Sequence, residues 1–205
     1  MEKCLSGSGY FYEDDTETKI VQIKTEYDIG LVSSAIHLFR DPFDNLVSRF
    51  HFARKRYKKD PEWLEKYPKD STGFREWCED IRVKYGEYDE LYFPEDIMNA
   101  TNGVPCYADF FRYIQWHNHA WSIIRKLDIP VLILHYEEYQ SKFDVSISRI
   151  LDFLDLPQRS IPEKFHLSNY SDHFSSEERM AATTFMKKIA SNDTMNSISR
   201  YLDLQ

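Results

Sequence analysis

Three short apolar runs constrain what this chain can fold into. They are Lys19-Ile20-Val21-Gln22-Ile23-Lys24, Ala35-Ile36-His37-Leu38-Phe39 and Pro130-Val131-Leu132-Ile133-Leu134-His135. Each is rich in Val, Ile and Leu and too short for an ordinary helix, which fits a strand buried in a parallel sheet. The stretches around them carry helical spacing instead. Residues 42–57 place Phe43, Leu46, Val47, Phe50 and Ala53 on one face, and Pro42 suits a first turn, where its missing N–H costs nothing. Residues 108–127 repeat the pattern with Phe110, Phe111, Ile114, Trp121 and Ile124, and residues 145–154 with Ile147, Ile150, Leu151 and Leu154. Ser175 and Glu178 form a capping box that opens a helix to about Ala190, and a shorter helix is expected near Tyr201. Strands alternating with helices predict an α/β fold, a three-layer sandwich around a parallel sheet.

Residues 57–104 break the alternation. They are rich in Tyr, Glu, Lys and Pro, with one helix expected around residues 74–82, and read as an insertion over one end of the sheet. Residues 1–18 are polar, with Gly7, Gly9 and the acidic run Glu13-Asp14-Asp15, and read as a loose arm ahead of a domain over 19–205. Ser6-Gly7-Ser8-Gly9 lacks the preceding strand and following helix of a phosphate loop.

The net charge of −8 argues against non-specific nucleic-acid binding. No apolar run is long enough to cross a bilayer and no signal peptide is visible, so no membrane contact is expected of this chain. The basic cluster Arg54-Lys55-Arg56-Tyr57-Lys58-Lys59 reads as the solvated end of a helix or as an electropositive rim for an anion. Cys4, Cys78 and Cys106 have no metal-ligand spacing and are expected to be buried free thiols; a Cys78–Cys106 bridge is possible but cannot be read from spacing. In Trp116-His117-Asn118-His119 the two histidines point to different helix faces and do not converge on one ion, so no metal is expected.

The chemistry concentrates in His37-Leu38-Phe39-Arg40-Asp41-Pro42-Phe43-Asp44-Asn45-Leu46-Val47-Ser48. A strand ends at Arg40, Asp41-Pro42 turns the chain, and Ser48 falls about two turns into the helix. Ligands of parallel α/β sheets collect at the carboxyl ends of strands. Arg40 can grip a phosphate with two parallel N–H bonds there, and Ser48 can add a hydroxyl. Spacing alone equally allows a strand-end salt bridge and an ordinary helical serine.

This segment resembles the 3′-phosphate-binding motif of the sulfotransferase superfamily, in which a strand ends in Arg-Asp-Pro and a serine follows eight residues after the arginine. Three more likenesses follow that family's order. Ile23-Lys24-Thr25 resembles the strand-end Lys-Thr-His motif. His135-Tyr136-Glu137-Glu138-Tyr139 resembles the strand ending in Tyr-Glu-Asp. Ile150-Leu151-Asp152-Phe153-Leu154-Asp155-Leu156-Pro157 resembles the helix ending in Phe-Leu-Gly-Leu-Pro. The arrangement looks nearest to the WSC-domain-type sulfotransferases and their algal relatives.

The resemblance implies a P-loop-NTPase-like sulfotransferase fold. It implies transfer of a sulfuryl group from 3′-phosphoadenosine 5′-phosphosulfate (PAPS) to a hydroxyl or amine: a carbohydrate, a protein tyrosine or a small molecule. Arg40 and Ser48 would bind the 3′-phosphate, Tyr136 would lie near the adenine or serve as a core tyrosine, and Lys24 would approach the sulfuryl group. Glu26 stands where many relatives carry a histidine base, and is a candidate base in its place. Glu137 and Glu138 are expected to anchor a neighbouring loop or cap a helix. The insertion at 57–104 would shape the acceptor site.

The chain also departs from the family. No loop resembling Pro-Lys-Ser-Gly-Thr-Thr precedes Lys19, so either the domain is incomplete at its amino end or the grip on the 5′-phosphosulfate has been lost, and the late Arg-Lys-Gly segment is not evident. A non-catalytic nucleotide-binding or interaction module is therefore the alternative. A nucleotide kinase would need a Walker-type Gly-Lys-Ser/Thr, which the sequence lacks. The cytoplasm is the default compartment, and the Golgi lumen the alternative if a longer precursor carries an anchor.

Overall fold

The computed structural model describes residues 32–160, 163 and 170–202. Lys19-Ile20-Val21-Gln22-Ile23-Lys24, Lys24 and Glu26 themselves, and Cys4 lie outside the described residues.

Two of the expected strands are present: β1 (Ala35–Phe39) and β2 (Val131–His135). They pair in parallel, with Ala35 opposite Val131 and Phe39 opposite His135. Ala35 N–H donates to Pro130 C=O at 2.9 Å, and Tyr136 N–H donates to Phe39 C=O at 2.7 Å. The carboxyl ends of the two strands are thereby locked side by side.

Between them run α1 (Pro42–Arg56), α2 (Pro61–Lys66), α3 (Ser71–Tyr92), α4 (Glu95–Ala100) and α5 (Tyr107–Leu127). After β2 come α6 (Glu138–Ser141), α7 (Phe143–Phe153), a 3₁₀ turn (Ser171–His173), α8 (Ser176–Ile189) and α9 (Asn192–Leu202). The described residues thus form a helix-rich α/β structure around a small parallel sheet. The expected helix at 74–82 extends in both directions. Asp70 caps it through Thr72 and Gly73 N–H at 2.9 and 3.0 Å, and no proline interrupts it before Pro94.

The strands follow the pleat more than the composition predicted. His37 and Phe39 are buried, whereas Ile36 and Leu38 on the other face of β1 are 41 % and 42 % exposed. β1 therefore alternates, rather than being buried on both faces among the described residues. On the His37 and Phe39 face, both rings stack on or near His117 of α5, with centroids 5.0 and 4.3 Å away.

Most of the core is aromatic. Phe39, Phe43, Phe50, Phe74, Phe110 and Phe185 are fully buried, each removal from water contributing roughly 1.5–3 kcal/mol. Phe43 of α1 meets Phe110 of α5 edge-on at 5.3 Å and Phe174 at 5.1 Å, a geometry aromatic quadrupoles favour. Asp109, buried beside this cluster, ion-pairs with Arg49 and with Arg112, so α1 and α5 are joined by charge as well as packing.

One expectation is corrected. Cys78 and Cys106 are both buried, but they are joined in a disulfide rather than free. The bridge links the middle of α3 to the residue that opens α5, with the two Cα atoms 4.6 Å apart. Spacing along the chain carried no information about that separation. Cys106 reaches it by taking a left-handed conformation (φ 53°) just before Tyr107.

Candidate functional site

The site grows from the two strand ends. Beyond β1, Arg40 is followed by Asp41, whose Oδ1 accepts from Phe43 N–H (2.8 Å) and Asp44 N–H (3.2 Å) and so caps α1. Pro42 occupies the first helical position, as its fixed φ suits. Beyond β2, Glu137 Oε1 accepts from Asp41 N–H at 2.9 Å. The expectation that Glu137 anchors a neighbouring loop is thus met, and the loop is the one carrying Arg40.

Two tyrosines complete a clamp around Arg40. Tyr113 O–H, from α5, donates to the Arg40 carbonyl at 2.7 Å. Tyr201 O–H, from α9, donates to Glu137 Oε2 at 2.5 Å. His135 Nδ1 lies 2.7 Å from the same Tyr201 oxygen. The single hydroxyl proton goes to Glu137, so Nδ1 of His135 carries the proton of that contact. The carbonyl of Arg40 and the amide after it are therefore both held, and its side chain has a fixed point of departure.

That side chain lies against Tyr136, with its guanidinium carbon 4.7 Å from the ring centroid. The structure thus brings together two of the three residues assigned to the nucleotide from the sequence. Ser48 stands about two turns along α1. It is half-buried and on the face shared with Asp44 and Asn45, away from Leu46, Val47 and Phe50.

The electrostatics of this edge are mixed. Burial pushes the Asp41 carboxyl up to about 6, the charge of Asp44 adds to the rise, and the capping N–H groups and Arg179 pull back. Burial also raises Asp44, against the pull of Arg40. Burial, with nearby carboxylates, raises the Tyr113 and Tyr201 hydroxyls too, so both stay protonated donors at neutral pH. Two carboxyls whose ionisation is held back thus share the edge with the guanidinium of Arg40.

Tyr113, Tyr201 and Arg179 were not anticipated from the sequence. Tyr113 falls in the apolar spacing of α5 and reads as core. Tyr201 and Arg179 come from elements far along the chain, and no local motif marks them. His117, set aside as a metal ligand, instead meets His37 at 2.7 Å between Nδ1 and Nε2. Burial lowers His37 to about 4 and His117 to about 2, so both are neutral imidazoles sharing one hydrogen bond. Among the described residues no group of three or more His, Cys, Asp or Glu is placed to hold a metal ion, and no helix is long and apolar enough to cross a membrane.

Fold and edge together define a helix-rich α/β protein whose polar side chains gather at the carboxyl ends of two parallel strands. The model of the sulfotransferase domain family matches residues 33–202, and the chain belongs to that family. No curated protein and no solved structure matches the chain.

Proposed function

We propose that this protein transfers a sulfuryl group from PAPS to a hydroxyl or amine acceptor, with the 3′-phosphate of the donor held at Arg40. The observation that carries the reading is the placement of Arg40. It belongs to a sulfotransferase domain, directly follows a parallel strand, is clamped at both the C=O and the N–H of the Arg40–Asp41 peptide, and rests on Tyr136. Its guanidinium has no hydrogen-bond or ion-pair partner among the described residues, which leaves its N–H donors for a ligand. Ser48 would add a hydroxyl to the same phosphate from α1, and Tyr136 would offer its ring near the adenine.

In the reaction the acceptor oxygen or nitrogen attacks sulfur. The bond from sulfur to the bridging phosphate oxygen breaks, and 3′-phosphoadenosine 5′-phosphate (PAP) leaves with the electron pair. Lys24 would stabilise charge on the transferring group, and Glu26 would take the acceptor proton. Residues 57–104 would shape the acceptor side. Helix α5 stacks on β1 through His117 and Phe39, and α7 contacts β2, which supports the layered, P-loop-like sulfotransferase architecture. The Cys78–Cys106 disulfide supports an oxidising compartment, such as the Golgi lumen, over the cytoplasm.

The test is release of PAP from PAPS in the presence of phenolic, carbohydrate and amine acceptors. An acceptor-dependent PAP release that Arg40→Ala lowers at least about 30-fold in kcat/KM is expected. PAP binding without release for any acceptor would instead favour a non-catalytic nucleotide-binding module.

A further inference from the structure

We propose that Tyr201, at the end of α9, is a positioning residue for the donor site: through Glu137 it sets the direction in which Arg40 presents its guanidinium. The inference rests on the sulfotransferase reading of the site and adds a residue that acts on the donor only through another.

Two hydrogen bonds and one carboxylate make the link. Glu137 divides its oxygens between two partners. Oε1 accepts from Asp41 N–H at 2.9 Å, and Oε2 accepts from the Tyr201 hydroxyl at 2.5 Å. His135 Nδ1 backs that hydroxyl at 2.7 Å, and its ring meets the Tyr201 ring edge-on at 5.6 Å. A carboxylate held at one oxygen can still turn about its terminal torsion, whose energy wells are broad; one held at both oxygens cannot. The Asp41 N–H belongs to the peptide whose carbonyl is that of Arg40. The plane of that peptide decides where the side chain of Arg40 departs. Binding of a phosphate by a planar guanidinium is sensitive to such an angle, because its two N–H bonds must point at two oxygens together.

The hydroxyl is separable from the packing of its helix. Ile198 and Leu202 bury α9 in the core. Asn118 of α5 holds the turn before α9, accepting from Ser191 N–H at 2.8 Å and donating to Ile189 C=O at 3.0 Å. At the far end, two neighbouring residues of α9 hold two neighbouring acids. Arg200 donates to Glu138 at 3.0 Å, and Tyr201 to Glu137. The Glu138 contact leads away from the donor: its other partner is Arg149, at 3.4 Å, which also donates to Ile133 C=O inside β2. The Glu137 contact leads to Arg40. Tyr201→Phe therefore removes the link and keeps the ring against His135.

The experiment measures the affinities of each variant for PAP and for adenosine 5′-monophosphate, which differs only by lacking the 3′-phosphate. Tyr201→Phe is expected to weaken PAP about 3- to 10-fold and to change the monophosphate less than about twofold. Glu137→Gln breaks the same link with an isosteric side chain, should shift the ratio in the same direction, and carries the test if Tyr201→Phe does not fold. Arg200→Gln loosens the same helix end through Glu138 alone and should leave the ratio of the two affinities unchanged. An unchanged ratio in both Tyr201→Phe and Glu137→Gln, or an equal shift in Arg200→Gln, overturns the assignment and leaves Tyr201 as packing. That failure is distinct from failure of the site itself, which would show as wild-type protein with no preference for PAP over the monophosphate.

Discussion

Replacing both Cys78 and Cys106 by alanine should destabilise the protein by about 3.6 kcal/mol, and the figure follows from where the bridge sits. The two cysteines are 28 residues apart in sequence. Closing a loop of that length removes unfolded-chain entropy of about 12 cal/mol/K, or about 3.6 kcal/mol at 25 °C, from the usual logarithmic dependence on loop length. Both residues are buried, so the two lost sulfur atoms add a cavity cost on top. For a chain of this size each kcal/mol corresponds to roughly 2–4 °C in melting temperature, so the entropy alone predicts a fall of roughly 7–14 °C. The assay is thermal and urea unfolding of wild type with and without reductant, beside the double alanine variant. Thiol titration in denaturant accompanies it and should find one free thiol of the three in the oxidised protein. Three free thiols and a melting temperature indifferent to reductant would refute the bridge, and with it the argument that α3 is stapled to the start of α5.

Two further outcomes are expected of the fold. His37 and His117 are buried as neutral imidazoles, with pKa values lowered from near 6.5 to about 4 and about 2. A group depressed on folding gives stability that is complete above its unfolded pKa and is lost as pH falls toward its folded one. The His37 shift alone should therefore remove about 3 kcal/mol between pH 6.5 and 4, read as the urea midpoint at pH 7.5 and 4.5. In the paired variant His37→Leu/His117→Phe that dependence should be much reduced; an equally steep acid loss there would assign it to other groups. Within α3, a methyl group on Gly73 would fall inside the backbone of Tyr67 and Pro68, whereas one on Gly86 would meet nothing. Gly73→Ala should cost at least about 2 kcal/mol, and Gly86→Ala should gain about 0.5–1 kcal/mol. Equal effects in chemical denaturation would show that α3 does not pass the 67–68 turn as closely as described.

Much of the framework was legible because it is written in local periodicity. The runs at Ala35 and Val131, the apolar spacing of α1, α5 and α7, and the capping box at Ser175 each depend on residues within a few positions of one another. What escaped depends on distance in sequence. The Cys78–Cys106 bridge spans 28 residues, the His37–His117 contact 80 and the Tyr113–Arg40 clamp 73. The length of α3 escaped for another reason. Its mixed aromatic and charged surface blurs the apolar stripe, and only its Asp70 cap marks the start. Of the candidate site, Arg40 and Tyr136 were singled out by the resemblance of their segments to the family's motifs rather than by spacing, and the pairing of the strands places them against each other. Glu137 was seen as an anchor without its partner, since only the pairing of β1 with β2 shows that it holds Asp41. Arg179 was invisible because it reaches α1 from a helix more than a hundred residues downstream of it.

The central claim, that Arg40 holds the 3′-phosphate of a sulfuryl donor, is tested most directly by calorimetric titration of PAP into wild type and Arg40→Ala. Saturable binding that the substitution weakens by about 2–4 kcal/mol is the predicted result, because a charged contact with several hydrogen bonds is lost. Binding of equal strength in both proteins, or none in folded wild type, would contradict the placement of the donor at this strand end.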